Sequence, residues 1–434
     1  MPVEQGSAAQ QKSLFEVEQE FIAPGLQTIA LLSQLAIDHG AGCTLTDVNG
    51  RTYLDLNAGV SVASLGYGHP RYVAALTEQL KRVAVGSFTS PARAELVRLI
   101  AELAPGNLTR TQFFSGGAEA VEAAIRLARS YTKRTDIVGF TGGFHGKTAG
   151  VLPISDIDWK REVGPLPPRQ HVAIYPDVTT AGGTAAECAA ASLDSLRRVI
   201  EQHCDSRPAA IIIEPIQGTA GNIVPPDGFL RGVREVATEY GALLIADEMI
   251  TGFGRTGTMF GCNHDEVVPD IMTVGKGMAG GFPVSAVIST DEMMAAKPFS
   301  LPSASSSSYG GNPLAAAAAL VTIRSIVEED LATNAREIGD FLRGGLTSIA
   351  KKRGRIANIR GRGLLVGFDL VNDAGVFLPK PECVDFFKRC LARGLIMMSY
   401  TPRVRVHPPL ILAREQAEQA LATIDDVLSE MTAC

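Results

Sequence analysis

The sequence predicts an α/β protein. The expected architecture is a large domain on a mostly parallel seven-stranded sheet, with a smaller α+β domain beside it. Two observations carry this. From about residue 70, short apolar runs alternate with helical patterns, and that alternation implies a mostly parallel sheet covered on both faces. The chain has 434 residues, enough for a large core and more than one domain.

The elements follow in order. Residues 1–20 are polar and read as a mobile arm or a short helix. Cys43–Val48 and Thr52–Leu56 flank Asn49-Gly50 and read as a β-hairpin with a tight turn. Seven runs read as buried strands: Thr111–Ser115, Asp136–Phe140, His171–Tyr175, Ala209–Glu214, Ala242–Asp247, Ile271–Val274 and Pro283–Ser289. Helical stretches Glu119–Tyr131, Ala189–Glu201 and Gly228–Tyr240 lie between several of them. Pro313–Glu329 is a further helix, leading toward the smaller domain. Beyond it come a strand at Gly363–Leu370, a helix at Glu382–Arg393 and a terminal helix at Ala413–Met431. The expected division is 1–69 as an N-terminal segment of the small domain, 70–325 as the large domain and 326–434 as the C-terminal small domain.

Composition narrows the function. The chain is 46% hydrophobic and 20% charged, with net charge −6 and no long basic block, which argues against nucleic acid or a membrane surface as partner. No run of about 18 or more apolar residues occurs, so no membrane span is expected. The polar N-terminus has no apolar core of a secretory signal. The seven cysteines are scattered without a CxxC, which points to a reduced, cytoplasmic protein without a disulfide framework or metal site.

The chemistry lies at the strand ends. Leu243-Leu244-Ile245-Ala246-Asp247-Glu248 is an apolar strand ending in carboxylates. Farther on, Asp270-Ile271-Met272-Thr273-Val274-Gly275-Lys276-Gly277 is a second one, ending in a lysine wrapped in glycines. This pair is what a pyridoxal phosphate (PLP) site requires. Lys276 supplies an amine for a Schiff base, and Asp247 can pair with the pyridinium nitrogen. Ligands of open α/β sheets sit beyond the carboxyl ends of strands, so Ser115, Glu214, Asp247 and Lys276 should converge on one edge. Ser115-Gly116-Gly117-Ala118-Glu119 follows a strand and opens a helix, the arrangement of a phosphate cradle. In Gly142-Gly143-Phe144-His145-Gly146-Lys147, Phe144 can lie on the cofactor ring. The serine run 303–308 leads into Tyr309-Gly310-Gly311-Asn312-Pro313, and Ser308 can complete a phosphate site across a subunit boundary. Arg403 and Arg405 alternate with Val404 and Val406, which places both on one face of a strand, and an arginine fork anchors a carboxylate. Taken singly, each feature has a plainer reading: a loop lysine, a helix cap, a core phenylalanine, a linker, a surface arginine.

Together these residues resemble the class III aminotransferases of PLP fold type I, the group that includes 4-aminobutyrate and ornithine aminotransferases. The resemblance runs from about residue 25 to the end. Its most specific part is Asp247-Glu248-Met249-Ile250-Thr251-Gly252-Phe253-Gly254-Arg255-Thr256-Gly257, followed by Gly275-Lys276-Gly277. Glu214-Pro215-Ile216-Gln217-Gly218, Gly68-His69-Pro70 and Gly311-Asn312-Pro313 also match.

The resemblance implies a fold type I PLP-dependent transferase. Lys276 would be the Schiff-base lysine and proton shuttle, Asp247 the partner of the pyridinium, and Phe144 the cover of the ring. Gly117 and Ala118 would give N–H groups to the phosphate. Ser308 stands where a threonine reaches the neighbouring subunit's phosphate. His145, Glu214 and Ile250 join the cofactor-binding set, and Arg405 matches the arginine for a substrate carboxylate. The implied reaction moves an amino group from an amino acid or ω-amino compound to pyruvate or 2-oxoglutarate. The implied assembly is a homodimer, or a dimer of dimers, with shared active sites.

Departures touch the substrate side. Thr219 stands where 4-aminobutyrate-type enzymes have a glutamate that masks the carboxylate arginine, and Lys147 stands where they have an arginine for the distal carboxylate. Ile250 replaces a glutamine, and Ser305 a frequent histidine. Candidate substrate-pocket residues are Val60, Ser61, Phe88, Phe144, Lys147, Thr219 and Arg405. The same motifs also serve amino-acid racemases and dialkylglycine-type decarboxylases, and a non-catalytic PLP-binding sensor is the reading from outside enzymology.

Overall fold

The computed structural model describes residues 12–205 and 207–431. Most of the polar arm expected at the N-terminus lies outside the described residues. What is described of it is a short helix, Leu14–Gln19, capped by Ser13.

Fourteen strands occur among the described residues. They are β1 (Ile37–Ala41), β2 (Thr44–Asp47), β3 (Thr52–Asp55), β4 (Arg110–Phe114), β5 (Ile137–Phe140), β6 (Gln170–Ala173), β7 (Ala210–Ile213), β8 (Leu243–Asp247), β9 (Ile271–Val274), β10 (Ser285–Ser289), β11 (Ile356–Arg362), β12 (Leu365–Leu370), β13 (Leu395–Ile396) and β14 (Arg403–Val406). Seven of them form the central sheet, in the order β4-β10-β9-β8-β7-β5-β6. Only β10 runs against its neighbours β4 and β9. These are the seven strands the sequence predicts, with ends shifted by a residue or two.

Alternation within the strands explains why the sheet is covered on both faces. Ile211 and Ile213 of β7 point into one apolar core, with Phe229 and Val233 of the helix Phe229–Glu239. Ala210 and Ile212 point into the other, with Ala120, Val121 and Ala124 of the helix Gly117–Thr132. Side chains of a strand leave on alternate sides, so a strand buried on both faces reads as an unbroken apolar run. The helix Pro313–Glu328 packs into the first core through Ala315, Ala316, Ala319 and Ile323.

Two smaller sheets flank this layer. One has the order β1-β2-β3-β13, in which Leu395 of β13 pairs in parallel with Leu54 of β3. The N-terminal hairpin is thereby joined to a segment near the other end of the chain. The expected hairpin is β2 and β3; Asp47 Oδ1 accepts from the N–H groups of Asn49 and Arg51, and Gly50 takes a positive φ of 82°. The other sheet is β11-β12-β14. β11 and β13 escape the sequence reading for physical reasons. β13 is two residues long, too short for a period, and β11 carries a register shift between Ala357 and Arg360 that breaks its alternation.

Backbone contact joins the motif after β8 to this region. A Cβ on Gly363, whose φ is +53°, would stand 2.5 Å from the Arg255 carbonyl oxygen, and a Cβ on Gly339 would stand 1.9 Å from the Gly363 oxygen. Three stretches distant in sequence therefore touch through glycine.

At the edge of the sheet where β5 and β6 begin, Asp136 receives hydrogen bonds from Arg169 at 2.8 Å and pairs with His171 at 2.9 Å, with the buried Cys204 nearby. The six cysteines among the described residues are free and buried. No helix of the described residues is long and apolar enough to cross a membrane.

Candidate active site

The site lies at the carboxyl ends of the parallel strands. β10 runs the other way, so its entering end, Pro283 and Val284, faces the same edge as the leaving ends of β4, β8 and β9. A cavity of about 300 Å³ opens there. Its wall holds Ser115, Gly117, Ala118, Phe144, His145, Asp247 and Lys276, together with Val62, Met249 and the segment Gly281–Val284. Residues spread over the whole central part of the chain thus meet in one place.

Asp247 closes β8 at the middle of the sheet and is 1% exposed. Burying a carboxylate is costly unless its oxygens are satisfied. Here Oδ1 accepts from Thr273 Oγ1 at 3.0 Å and from the Met249 N–H at 3.2 Å, and Oδ2 meets His145 Nδ1 at 2.6 Å. Burial opposes a charge on His145. The hydrogen bond and charge of Asp247, with Glu214 behind it, outweigh burial and lift the imidazole above its ordinary value. The result is an anchored carboxylate that stays on the cavity wall.

Lys276 follows β9 through Gly275. Its φ is +43°, in the left-handed region that a residue with a side chain seldom adopts. Gly277 then passes so close to the chain at Ser61–Ser64 that a Cβ would meet Ser64 Oγ at 2.5 Å. Burial pushes the Lys276 ammonium below its ordinary value, Arg405 adds to that, and Glu214 and Asp247 work against it.

Glu214 stands just behind the cavity, 6% exposed. Oε1 accepts from the Phe144 N–H at 2.8 Å and fixes the loop that carries Phe144 and His145. Burial raises its carboxyl to about 7, with Asp247 adding and His145 opposing.

The helix Gly117–Thr132 opens on the cavity. Glu119 reaches back to accept from the N–H groups of Ser115 and Gly116 at 3.0 and 2.7 Å. Gly117 and Ala118 begin the helix, where N–H groups have no intrahelical acceptor. A Cβ at Gly117 would press on Met249 Sδ at 3.2 Å, so glycine keeps this approach open. An amine, a buried carboxylate, an aromatic side chain and a helix start on one cavity fit pyridoxal phosphate by the chemistry of each group.

Arg405 lies beside this set, close enough that its charge acts on Lys276. Both Arg403 and Arg405 are half-buried and share one face of β14, as their alternation with the buried Val404 and Val406 implies. Their partners differ. Arg403 pairs with Asp177 at 2.6 Å and donates to the Ala220 carbonyl at 3.1 Å. Among the described residues, Arg405 has no carboxylate partner; burial pushes its guanidinium below the ordinary value, and the nearby Tyr400 works against that.

Other expected residues sit elsewhere in the single chain. Ile250 turns from the cavity into an apolar cluster with Ile216 and Leu365, and Met249 takes the place on the wall. Lys147, Thr219 and Ser308 are exposed and off the wall. Phe88 is 87% exposed. Ser61 is buried, its Oγ without a hydrogen-bond partner. Val60 is half-buried with a φ of +68°, a strained value for a β-branched residue, and packs toward Met398 and Tyr400. The sequence reading missed Val62, Met249, Phe282 and Tyr400. Met249 had a usable signal, two residues past Asp247. Phe282 had none, because only the reversal of β10 brings it to the cavity.

Residues 29–428 match the family described as Aminotransferase class-III. The chain is 36% identical over 395 residues to the acetylornithine aminotransferase of Methanopyrus kandleri, covering 90% of this chain and 93% of that protein. Among solved structures, an (S)-enantioselective omega-transaminase from Thermomicrobium roseum is 32% identical, with TM-score 0.88, covering 97% of this chain and 99% of that one. An amine transaminase from an uncultivated Pseudomonas species, solved in its PLP-bound form, is 28% identical with TM-score 0.87, covering 95% of this chain and 98% of that one. None of these three is a racemase, a decarboxylase or a sensor. The chain therefore belongs to the class III aminotransferases of fold type I, enzymes that use pyridoxal phosphate to move an amino group from a donor to a keto acid.

Proposed function

We propose that Lys276 is the Schiff-base lysine of this transaminase and the group that moves its protons, acting on an amino acid or ω-amino compound with pyruvate or 2-oxoglutarate as acceptor. The observation that carries the reading is the shared cavity of Lys276, Asp247 and His145. When bound, pyridoxal phosphate supplies an electron sink for the pair left on Cα when its proton is removed.

The chain supplies the rest. Lys276 Nζ, less basic than an ordinary lysine, can take the proton from the substrate's Cα and give a proton back on the far side of the substrate nitrogen. Asp247, held by Thr273, Met249 and His145, would pair with the cofactor's ring nitrogen. Gly117 and Ala118 would offer N–H groups to the phosphate, and Phe144 would cover the ring. Glu214 secures the Phe144 loop through its N–H bond. Arg405, without a carboxylate partner among the described residues, receives a substrate carboxylate.

The exposed positions of Phe88, Lys147, Thr219 and Ser308 fit a homodimer, or a dimer of dimers, with sites completed by a second copy. The apolar side chains of Val83, Val85, Phe88 and Tyr309, more than half exposed in the single chain, support the same reading. The large domain would hold the seven-stranded sheet over 70–325, and the small domain would join 1–69 to 326–434, which suits the pairing of β3 with β13. Free, buried cysteines suit the cytoplasm.

Two measurements test this. Borohydride treatment of the holoprotein followed by peptide mapping should label Lys276. A panel of donors and keto acids should shift the visible absorbance of the bound cofactor in opposite directions. An unlabelled Lys276 would refute the assignment.

A further inference from the structure

The amino ends of β5 and β6 lie at the edge of the sheet opposite the candidate active site, and they hold a second cluster of reactive side chains. Asp136 leads into β5, His171 is the second residue of β6, and Cys204 ends the helix Ala185–His203. One carboxylate oxygen, one ring nitrogen and the thiol sulfur all lie within 4.8 Å of one another. Asp136 and Cys204 are buried and His171 is half-buried, so the cluster opens to solvent on the histidine side.

The backbone fixes these three residues before any ligand arrives. β5 and β6 pair in parallel with Val138 opposite His171, and the Asp136 carbonyl accepts from the Ala209 N–H at 2.7 Å. The two carboxylate oxygens of Asp136 are placed differently. Oδ2 accepts from Arg169 at 2.8 Å and from the Asp205 N–H at 3.3 Å. Oδ1 meets His171 Nε2 at 2.9 Å. Metal-bound carboxylates are held in this way, with one oxygen secured by hydrogen bonds and the other turned to the ion. Cys204 is a free thiol. The ring of His203, one residue earlier, stacks on His171 with centroids 6.0 Å apart.

The donor set selects the ion. Nitrogen and sulfur beside one carboxylate suit a borderline-soft divalent metal and not magnesium or calcium. Tetrahedral zinc would hold such atoms about 3.3–3.6 Å apart, so Asp136 and His171 need to part by about half an ångström. Charge also fits. Asp136, Asp205 and a Cys204 thiolate bring three negative charges against the one positive charge of Arg169, and a divalent cation balances the remainder. The thiol proton leaves to solvent when the sulfur coordinates.

The geometry points to a structural zinc site formed by Asp136, His171 and Cys204, with the fourth position open to His203 or water, that ties the end of the helix Ala185–His203 to the starts of β5 and β6. The absence of a CxxC does not bear on it, because the three ligands come from elements remote in sequence. The site stands apart from the cofactor chemistry and does not depend on the transamination reading.

The test uses the untagged holoenzyme, stripped with a chelator and kept reduced, with Zn²⁺ alone as probe. The wild type should take up one zinc per chain and melt about 3 °C or more higher at a 100-fold excess over Kd, with initial turnover unchanged. Co²⁺ in its place should give a sulfur-to-cobalt charge-transfer band in the difference spectrum. Cys204→Ser and His171→Gln should each weaken zinc by more than the about 10–100-fold that loss of an outer-shell partner costs. Zinc uptake no greater in the wild type than in Cys204→Ser overturns the inference. So does a thermal shift that both variants keep, a bound cobalt without the sulfur band, or zinc that abolishes turnover as it binds. If Cys204→Ser does not fold, the cobalt spectrum of the wild type decides alone.

Discussion

Asp247 Oδ2 and His145 Nδ1 stand 2.6 Å apart, each side chain 1% exposed, and the pair ties the end of β8 to the loop after β5. Neither group could be buried alone at moderate cost. Asp247→Asn keeps the shape of the side chain and removes the charge. The expected outcome is a fall in kcat/KM of about 100-fold or more, with the fold retained by circular dichroism. A variant within a few-fold of the parent would show that the carboxylate does not tune the cofactor.

Among the described residues, no other lysine lines the cavity. Lys276→Ala should lower turnover by about 1000-fold or more while the protein stays folded. External methylamine should restore part of the rate if the lost function is a proton-moving amine. A Lys276→Ala enzyme with ordinary turnover would end the proposal.

Glu214 gives a pH signature. Its carboxyl is raised from 4.5 to about 7 in the fold, chiefly by burial. Between those values the native state binds more protons than the unfolded state. Stability therefore falls as pH rises through the window, and is lowest above about 7. Glu214→Gln does not ionise and escapes this loss. Measured by urea unfolding, the variant should gain on the wild type from pH 4.5 to pH 8 by up to about 3 kcal/mol. A difference that stays constant with pH would contradict the account.

Arg403 and Arg405 should separate cleanly. Arg405→Lys keeps a charge but loses the fork, and should raise KM for keto acids about 10-fold or more with little change in melting temperature. Arg403→Ala breaks the Asp177 pair and the bond to Ala220, so its first effect should be on stability. Equal KM effects from both would show that the structure does not distinguish them.

Gly339 tests the packing behind the motif. A methyl group there would stand 1.9 Å from the Gly363 carbonyl oxygen, a backbone atom that cannot step aside cheaply. Gly339→Ala should cost about 3 kcal/mol or more, read from denaturant unfolding. Gly344, with nothing within 4 Å of an added Cβ, should accept alanine without loss.

Much of the fold and of the site is legible in the amino-acid sequence. The five inner strands stand out because each is largely apolar and buried along its whole length, and alternate side chains do enter two different cores. Lys276 and Asp247 are legible because a parallel sheet must present its strand ends together. Ile250 shows the limit. It is adjacent to Met249, yet packs against Ile216 and Leu365 from distant segments, and nothing local decides which neighbour faces the cavity. Phe282 shows it again, since its place depends on the antiparallel course of β10.

The sequence by itself determined the class of fold, the strand-end positions of the amine and the carboxylate, and the glycine-led helix start, because each follows from a local period or a local backbone requirement. The tertiary structure alone decided which of two arginines on one strand is spent and which is open. Arg403 meets Asp177 across 226 residues of chain, while Arg405 has no carboxylate partner among the described residues. Charge partners are chosen by packing between remote segments, and no local pattern carries that choice.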